Sequence, residues 1–563
     1  MLRRLLRQLL GARATSDAEL IARGRAERER GEFATSCASL EAAIEFDPGN
    51  AETLAELGLS YRALGRSDEA RSAFERAVAS DSDSPLALMY LGNFEHEAGH
   101  LDAAVDAYRA SLAIDSHGAA VHYNLALTLL SRGEAAAAVD AFRLALAEVP
   151  DYADARSCLL AALNLSDRAS PEETAAEHFE WGRRIADSLY REPVFANAAV
   201  PERRLRIGYV SADYFQHAAS NFIHVFLARH DPQQCEVFCY VNAPISADLG
   251  DRYGHTWREI RELGDAQLAA LIARDAIDVL VDLSGHSRSN RLLAFAHKAA
   301  PVQMTFLGYP NTTGMRAMDY RLTDTYADPP GASESRYRER LLRMPHSLWC
   351  YQAHADGVPE VGPLPAMRNG HVTFASMNNV VKLNPGLIGL WADLLHRVAD
   401  ARMILATIPP GSAQQRVLQL FSGRGVDVRR IEFRDRLRRE EFLALHNEVD
   451  IALDSYPCNG GATTCETLWQ GVPVVSLSGD AFASRAGLSL LSAAGLPQLA
   501  ARSSAEFLDA AASLAQDRER LVQLRAGLRG TLRASALMDA AAFTRALEAQ
   551  YRGAWREWCA RRS

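Results

Sequence analysis

Two different periods of apolar positions divide the chain. Up to about residue 165, apolar and small residues recur at the three-and-four spacing of amphipathic helices. From Arg204 onward, short β-branched runs alternate with helical stretches. The runs are 206–210 (RIGYV), 235–241 (CEVFCYV), 277–282 (IDVLVD) and 302–307 (VQMTFL). After a loop-rich stretch at 351–370 the alternation restarts, at 372–375 (VTFA), 402–406 (RMILA), 451–454 (IALD) and 474–477 (VVSL). Strands alternating with helices predict parallel sheets covered on both faces. Two such halves predict two Rossmann-like lobes, 203–350 and 371–563, joined by a linker at 351–370 with a cleft between them. Ligands of open α/β sheets bind beyond the carboxyl ends of the strands, so the chemistry is expected on loops just after these runs.

The helical third repeats itself every 34 residues without gaps, at 17–50, 51–84, 85–118 and 119–152. The eighth position reads Gly24, Gly58, Gly92 and Ala126, small enough for two helices to approach closely. The twentieth reads Ser36, Ala70, Ala104 and Ala138; the twenty-fourth reads Leu40, Phe74, Tyr108 and Phe142, large residues that fill the space between helices. Pro48 and Pro150 close their repeats, because a ring without an N–H stops the second helix. The pattern resembles the tetratricopeptide repeat. That resemblance implies an α-solenoid whose concave surface holds a polypeptide, or an array that serves homo-oligomerisation. Residues 153–165 are expected as a last helix of the array 17–165, and 166–202 as a connecting helix and linker. The segment 1–16 mixes Arg into its apolar run, which predicts an amphipathic helix rather than a secretory signal.

Composition narrows the classes. A length of 563 residues, 48% hydrophobic and 23% charged, is ordinary globular composition with room for several cores. A net charge of −9 supplies no basic field for nucleic acid. No long apolar run predicts a membrane span. Eight scattered cysteines form neither a CxxC pair nor a Cys/His cluster, which argues against structural zinc and a disulfide framework and for a reducing cytoplasm. Asp81 and Asp83 form a D-x-D element in a repeat turn, read as a loop, so no metal is required. No GxxxxGK[ST], no GxGxxG after a strand and no HExxH occurs.

Several loops after strands carry candidate chemistry. In 454–466 (DSYPCNGGATTCE), Asn459, Gly460 and Gly461 free the backbone. There Thr463 and Thr464 could cap the next helix and offer hydroxyls and amides to an anion, while Glu466 suits ribose hydroxyls. Lys382, beyond the strand VTFA, could neutralise a departing diphosphate, or could be an exposed lysine at a helix start. His217, after the first strand, could hydrogen-bond a substrate, act as a base or be structural. The segment 282–286 (DLSGH) pairs a strand-end Asp with a turn and a His, and 307–314 (LGYPNTTG) is a turn-rich loop able to wrap a sugar ring or to form a tight structural turn.

Together, 207–214, 300–314, 318–324 and 452–469 resemble the O-linked N-acetylglucosamine transferases, glycosyltransferase family 41, over nearly the whole chain. The plant SPINDLY-type O-fucosyltransferases, which use a GDP-linked donor, are similar too. The resemblance implies a GT-B fold of two Rossmann-like domains behind the repeats. It implies an inverting, metal-independent transfer from a nucleotide sugar, UDP-GlcNAc or alternatively GDP-fucose, to Ser/Thr of proteins. A non-catalytic repeat scaffold is the other alternative. It further implies that Lys382 holds the donor diphosphate, Thr463 and its neighbours Thr464, Cys458, Asn459 and Gly460 line the phosphate loop, and Glu466 meets the ribose. By the same resemblance Asn379 stands beside the nucleotide, where animal enzymes carry Gln, and His217 is an active-site residue. Leu307 and Gly308 pack against the transferred sugar. Ala462 replaces a family Thr. Arg439 and Phe442 stand where animal enzymes carry Lys and His near the nucleotide; Phe442 could still stack on a base.

Overall fold

The structure is a computed structural model that describes residues 16–215, 217–245, 252–353 and 358–562. The expected helix at 1–16 falls, but for Ser16, outside the described residues. Two compact units emerge, 1–155 and 156–563.

In the first unit, each 34-residue repeat forms a helix pair. The first helices are Asp17–Glu29, Ala51–Ala63, Pro85–Glu97 and Ala119–Ser131; the second are Phe33–Phe46, Ser67–Ser80, Leu101–Ile114 and Ala135–Glu148. Ser16, Asn50 and Ser84 supply side-chain oxygens to the first turns of three first helices, the role short polar residues fill best. The small-to-large pairing is direct: a Cβ on Gly58 would lie 2.7 Å from the Phe74 ring, and one on Gly92 would lie 2.6 Å from Tyr108. Leu40, Phe74, Tyr108 and Phe142 are all buried. Each such side chain contributes about 1.5–3 kcal/mol by leaving water. Asp81 accepts the Asp83 amide in an ordinary turn. The expected last helix is present as Ala153–Leu165, but the boundary between units falls inside it, ten residues short of the expected 165.

The second unit holds two sheets. Strands β1 (Leu205–Ser211), β2 (Cys235–Val241), β3 (Thr256–Glu259), β4 (Val279–Asp282), β5 (Val302–Thr305), β6 (Tyr320–Asp324) and β7 (Arg340–Met344) form one, in the order β3-β2-β1-β4-β5-β6-β7. Strands β8 (Thr373–Ser376), β9 (Arg402–Leu405), β10 (Ile431–Phe433), β11 (Ile451–Leu453), β12 (Val474–Leu477) and β13 (Ala500–Ala501) form the other, in the order β10-β9-β8-β11-β12-β13. Every pairing within them is parallel. The strand order reverses between β1 and β4 and again between β8 and β11, the switch points where such sheets open for ligands. One apolar core runs from Leu205 to Cys559 through both lobes.

The last helix, Ala540–Ala560, belongs by sequence to the second lobe yet packs on the first. There Tyr551 meets the Tyr209 hydroxyl at 3.1 Å, Glu548 meets His230 at 2.9 Å, and the Trp555 indole donates to the Val200 carbonyl at 3.0 Å. Arg336 donates to the Asp480 carbonyl at 2.7 Å and Arg485 to that of Tyr326 at 2.8 Å, tying lobe to lobe. No described helix is long and apolar enough to cross a membrane.

Candidate active site at the strand ends of two lobes

The loop after β11 is organised around Asp454. This fully buried carboxylate accepts the Ser455 and Gly460 amides at 2.8 and 2.7 Å and the Ser476 hydroxyl at 2.7 Å. Burial raises its pKa; these bonds and the charge of Lys382 oppose the rise. Asn459 is buried too, and its side chain is spent inward: the amide donates to the Ser455 carbonyl at 2.7 Å and the oxygen accepts the Gly487 amide at 3.1 Å. Its backbone carbonyl faces the other way, to the Lys382 ammonium at 2.6 Å. Lys382 closes a short turn, Val380–Lys382, that follows β8. So Lys382 is not a free surface lysine: it is half-buried and directed at the Cys458–Gly460 segment. Cys458 is half-buried and bound through its carbonyl by the Ser455 hydroxyl at 2.6 Å.

That segment runs into the helix Ala462–Trp469, whose N-cap, Gly461, has no side chain to satisfy the first turn. Thr463 and Thr464 lie inside this turn instead of capping it, which corrects the expectation above. Thr464 is buried with its hydroxyl against Gly460, and Thr463 is half-buried. Uncapped amides at a helix start favour an anion. An ammonium and a helix N-terminus thus flank one loop, which is the charge arrangement a diphosphate needs.

Glu466, one turn into the helix, is mostly buried, and the Arg439 guanidinium lies 2.9 Å from its Oε1. Both were expected at the nucleoside end, and they are brought together. Phe442 is half-buried with its ring edge-on to His446, centroids 5.4 Å apart. Asn379 is exposed; its side-chain oxygen caps the Lys382 turn by accepting the Val381 amide at 3.2 Å.

In the first lobe, His217 is exposed beyond β1. Its Nδ1 accepts the Ala219 amide at 3.2 Å, so the neutral ring carries its proton on Nε2. Asp282 ends β4 and closes the 282–286 turn by accepting the Ser284 and Gly285 amides and the Thr305 hydroxyl. Burial pushes its pKa up to about 6. His286 is buried, donates its Nε2–H to the Thr313 carbonyl at 2.9 Å, and has its pKa pushed down to about 4 by burial.

The 307–314 loop clamps the connecting helix Pro171–Trp181 to the lobe. The Tyr309 hydroxyl donates to His178 Nε2 at 2.9 Å, whose Nδ1–H is spent on the Thr174 carbonyl, and accepts from Asn164 at 2.8 Å; Asn311 donates to Asn164 at 2.9 Å. A Cβ on Gly314 would lie 2.0 Å from the His178 carbonyl oxygen. The start of the loop is strained: Leu307 has φ +72°, and a Cβ on Gly308 would lie 1.9 Å from the Leu283 oxygen. Arg321, buried, donates to the Asn311 and Tyr309 carbonyls at 2.6 and 2.8 Å and lies 4.6 Å from the Phe482 ring of the other lobe. Burial pushes the pKa of the Tyr309 hydroxyl up.

Sequence reasoning assigned no role to Asp454, Asn378 or Arg321. For Asp454 and Arg321 the available signal was a charged residue ending or interrupting an apolar strand, which a buried sheet admits only with partners.

Comparison with known proteins agrees with this geometry. The family model for glycosyl transferase family 41 matches residues 182–359 and 364–547, and a tetratricopeptide repeat model matches 55–119 and 113–153. A Solanum lycopersicum protein named "Probable UDP-N-acetylglucosamine--peptide N-acetylglucosaminyltransferase SPINDLY" is 37% identical over 420 residues, 73% of this chain and 45% of its own. An Arabidopsis thaliana protein of the same name is 34% identical over 421 residues, covering 73% of this chain and 46% of its own. The chain thus spans under half the length of these curated relatives. A solved mutant of the Thermobaculum terrenum O-GlcNAc transferase superposes with a TM-score of 0.80 at 36% identity, covering 92% of this chain and 99% of that one. The chain belongs to glycosyl transferase family 41.

Proposed function

We propose that this protein is an inverting, metal-independent glycosyltransferase that moves N-acetylglucosamine from UDP-GlcNAc to Ser/Thr hydroxyls of polypeptides. The observation that carries this reading is the Lys382 ammonium, held 2.6 Å from the Asn459 carbonyl beside the uncapped helix Ala462–Trp469. The acceptor hydroxyl attacks the anomeric carbon opposite the diphosphate, forming the new glycosidic bond as the bond from that carbon to the phosphate oxygen breaks, and its proton leaves on a donor phosphate oxygen. As that bond breaks, Lys382 and the first-turn amides take up the charge growing on the leaving group. The carboxylate of this loop, Asp454, has its oxygens committed to inward donors. Holding donor and acceptor together supplies much of the remaining barrier reduction. Glu466 and Arg439 meet the nucleoside end, with Phe442 and Asn379 near it, and Leu307 and Gly308 border the sugar. The repeat array holds the acceptor chain. A reducing, cytoplasmic compartment fits cysteines scattered along the sequence without a CxxC pair.

The names of the curated relatives and of the solved transferase support the donor assignment. A donor panel tests it. Purified protein, a peptide library and UDP-GlcNAc, GDP-fucose and other nucleotide sugars are expected to give transfer from UDP-GlcNAc. Transfer from GDP-fucose alone would move the assignment to a fucosyltransferase. Lys382→Ala is expected to lose about 100-fold or more in kcat with its thermal melt little changed. Retained turnover in that variant would remove the mechanism.

A further inference from the structure

The proposed diphosphate loop contains a buried anion, an arrangement that should repel its own ligand. Asp454 is 2% exposed, and among the described residues no Arg or Lys hydrogen-bonds it. Its charge is instead spread into donors of the loop. One oxygen accepts the amides of Ser455 and Gly460, residues at opposite ends of the 455–460 segment. Asn378 of the Lys382 loop approaches the same oxygen at 3.5 Å, and the other oxygen accepts Ser476 of β12. The cation whose field reaches it is Lys382.

The closure has a geometric consequence. Pulling Gly460 onto Asp454 turns the Asn459 carbonyl outward to Lys382. It also seats Gly460 where a Cβ would be 2.5 Å from the Thr464 hydroxyl and 3.1 Å from both Asn378 and Asp454. On the far side, a Cβ on Gly487 would be 2.7 Å from Asp454. The loop therefore cannot shift without moving either the helix start or the Lys382 turn.

We propose that Asp454 is a positioning residue for the donor: its carboxylate fixes Lys382 and the start of the helix Ala462–Trp469 against each other, so that both meet one diphosphate. This rests on the functional reading above. A carboxylate is needed because every close partner is a donor. An asparagine, in either orientation, would turn its own N–H groups toward one of them.

The test is binding of UDP by calorimetry and of uridine by ligand-detected NMR. It uses the full chain, Asp454→Asn, Ser476→Ala, Lys382→Ala and the double variant Asp454→Asn/Lys382→Ala. Asp454→Asn is expected to weaken UDP by about tenfold or more, the scale of a lost hydrogen bond to a charged group, with uridine affinity unchanged. Added to Lys382→Ala, it is expected to cost less than about twofold, because coupled residues are not additive. Ser476→Ala, which keeps the charge and removes one donor, is expected to fall between; it carries the comparison if Asp454→Asn does not melt as a folded protein. Equal losses for UDP and uridine, full additivity with Lys382→Ala, or wild-type UDP affinity in the Asp454 and Ser476 variants would overturn the proposal. Wild-type protein that binds no nucleoside diphosphate, or Lys382→Ala that binds UDP as wild type does, would instead overturn the functional reading on which it rests.

Discussion

A histidine whose Nδ1 already accepts a backbone amide offers a substrate an N–H, because the neutral ring keeps its proton on Nε2. His217 is in that state, held by Ala219 and exposed beyond β1. It can therefore orient an oxygen, and it cannot collect a proton at Nε2 without first losing the Ala219 bond. His217→Ala is expected to lower kcat by about tenfold or less, short of the 10²–10⁴ typical of a general base. Steady-state kinetics on the peptide acceptor measure this, and a loss above about a thousandfold would return the base role to His217. The opposite side of the site depends on a residue with no side chain. Gly308 lies where a Cβ would meet the Leu283 carbonyl oxygen at 1.9 Å, and Leu307 before it is already in the left-handed region. Backbone cannot swing aside as a flexible side chain can. Gly308→Ala is thus expected to destabilise the lobe by about 3 kcal/mol or more, at or beyond the upper end for overpacking, read from urea unfolding.

Elements were legible where their signal repeats or stands alone. Four copies of one small-to-large pairing fixed the helical array, and all four expected strands of each lobe are present. The unread strands lack an unbroken apolar run. β6 (YRLTD) carries the buried Arg321, β3, β7 and β10 lie at the sheet edges with half-exposed residues, and β13 is two residues long. In the site, the sequence placed Lys382 and Thr463 just beyond strands, while their roles came only from the family resemblance. The clamp made by the 307–314 loop could not be read, because its partners His178 and Asn164 lie 131 and 145 residues from Tyr309. The repeat pairing gives its own prediction. Gly58→Ala would add about 1 kcal/mol of helix propensity, but three atoms of the buried Phe74 ring would lie within 2.8 Å of the new carbon. Overpacking of that kind costs about 1–3 kcal/mol, so the variant is expected to melt lower than wild type. Gly58→Ala/Phe74→Leu should recover part of the loss, and a higher melting temperature in Gly58→Ala alone would refute the packing argument.

Across the whole second unit, the buried titratable groups pull stability in opposite directions as pH falls. His286 in the first lobe and His446 in the second have pKa values near 4 because burial disfavours the cation, against an ordinary 6.5. Between those values the unfolded chain takes up a proton that the folded chain refuses, so stability drops with pH by about 3 kcal/mol for each residue. Asp282 acts in reverse: with its pKa near 6 rather than 3.8, the folded form binds the proton first, and stability rises through that window. The cleanest measurement is a difference between two proteins. His446 is held by the Phe442 and Leu443 carbonyls and by Thr467, contacts that Gln can partly keep. His446→Gln should therefore lose about 3 kcal/mol less than wild type between pH 6.5 and 4 in urea unfolding. Because the ties through Arg336, Arg485 and the Arg321–Phe482 contact hold the lobes together, the flattening should appear in one transition that includes the tryptophans of the first lobe, Trp257 and Trp349. If the first lobe instead melted separately, with its pH dependence unaltered, the two lobes would be independent folding units and the coupling drawn from those contacts would be wrong.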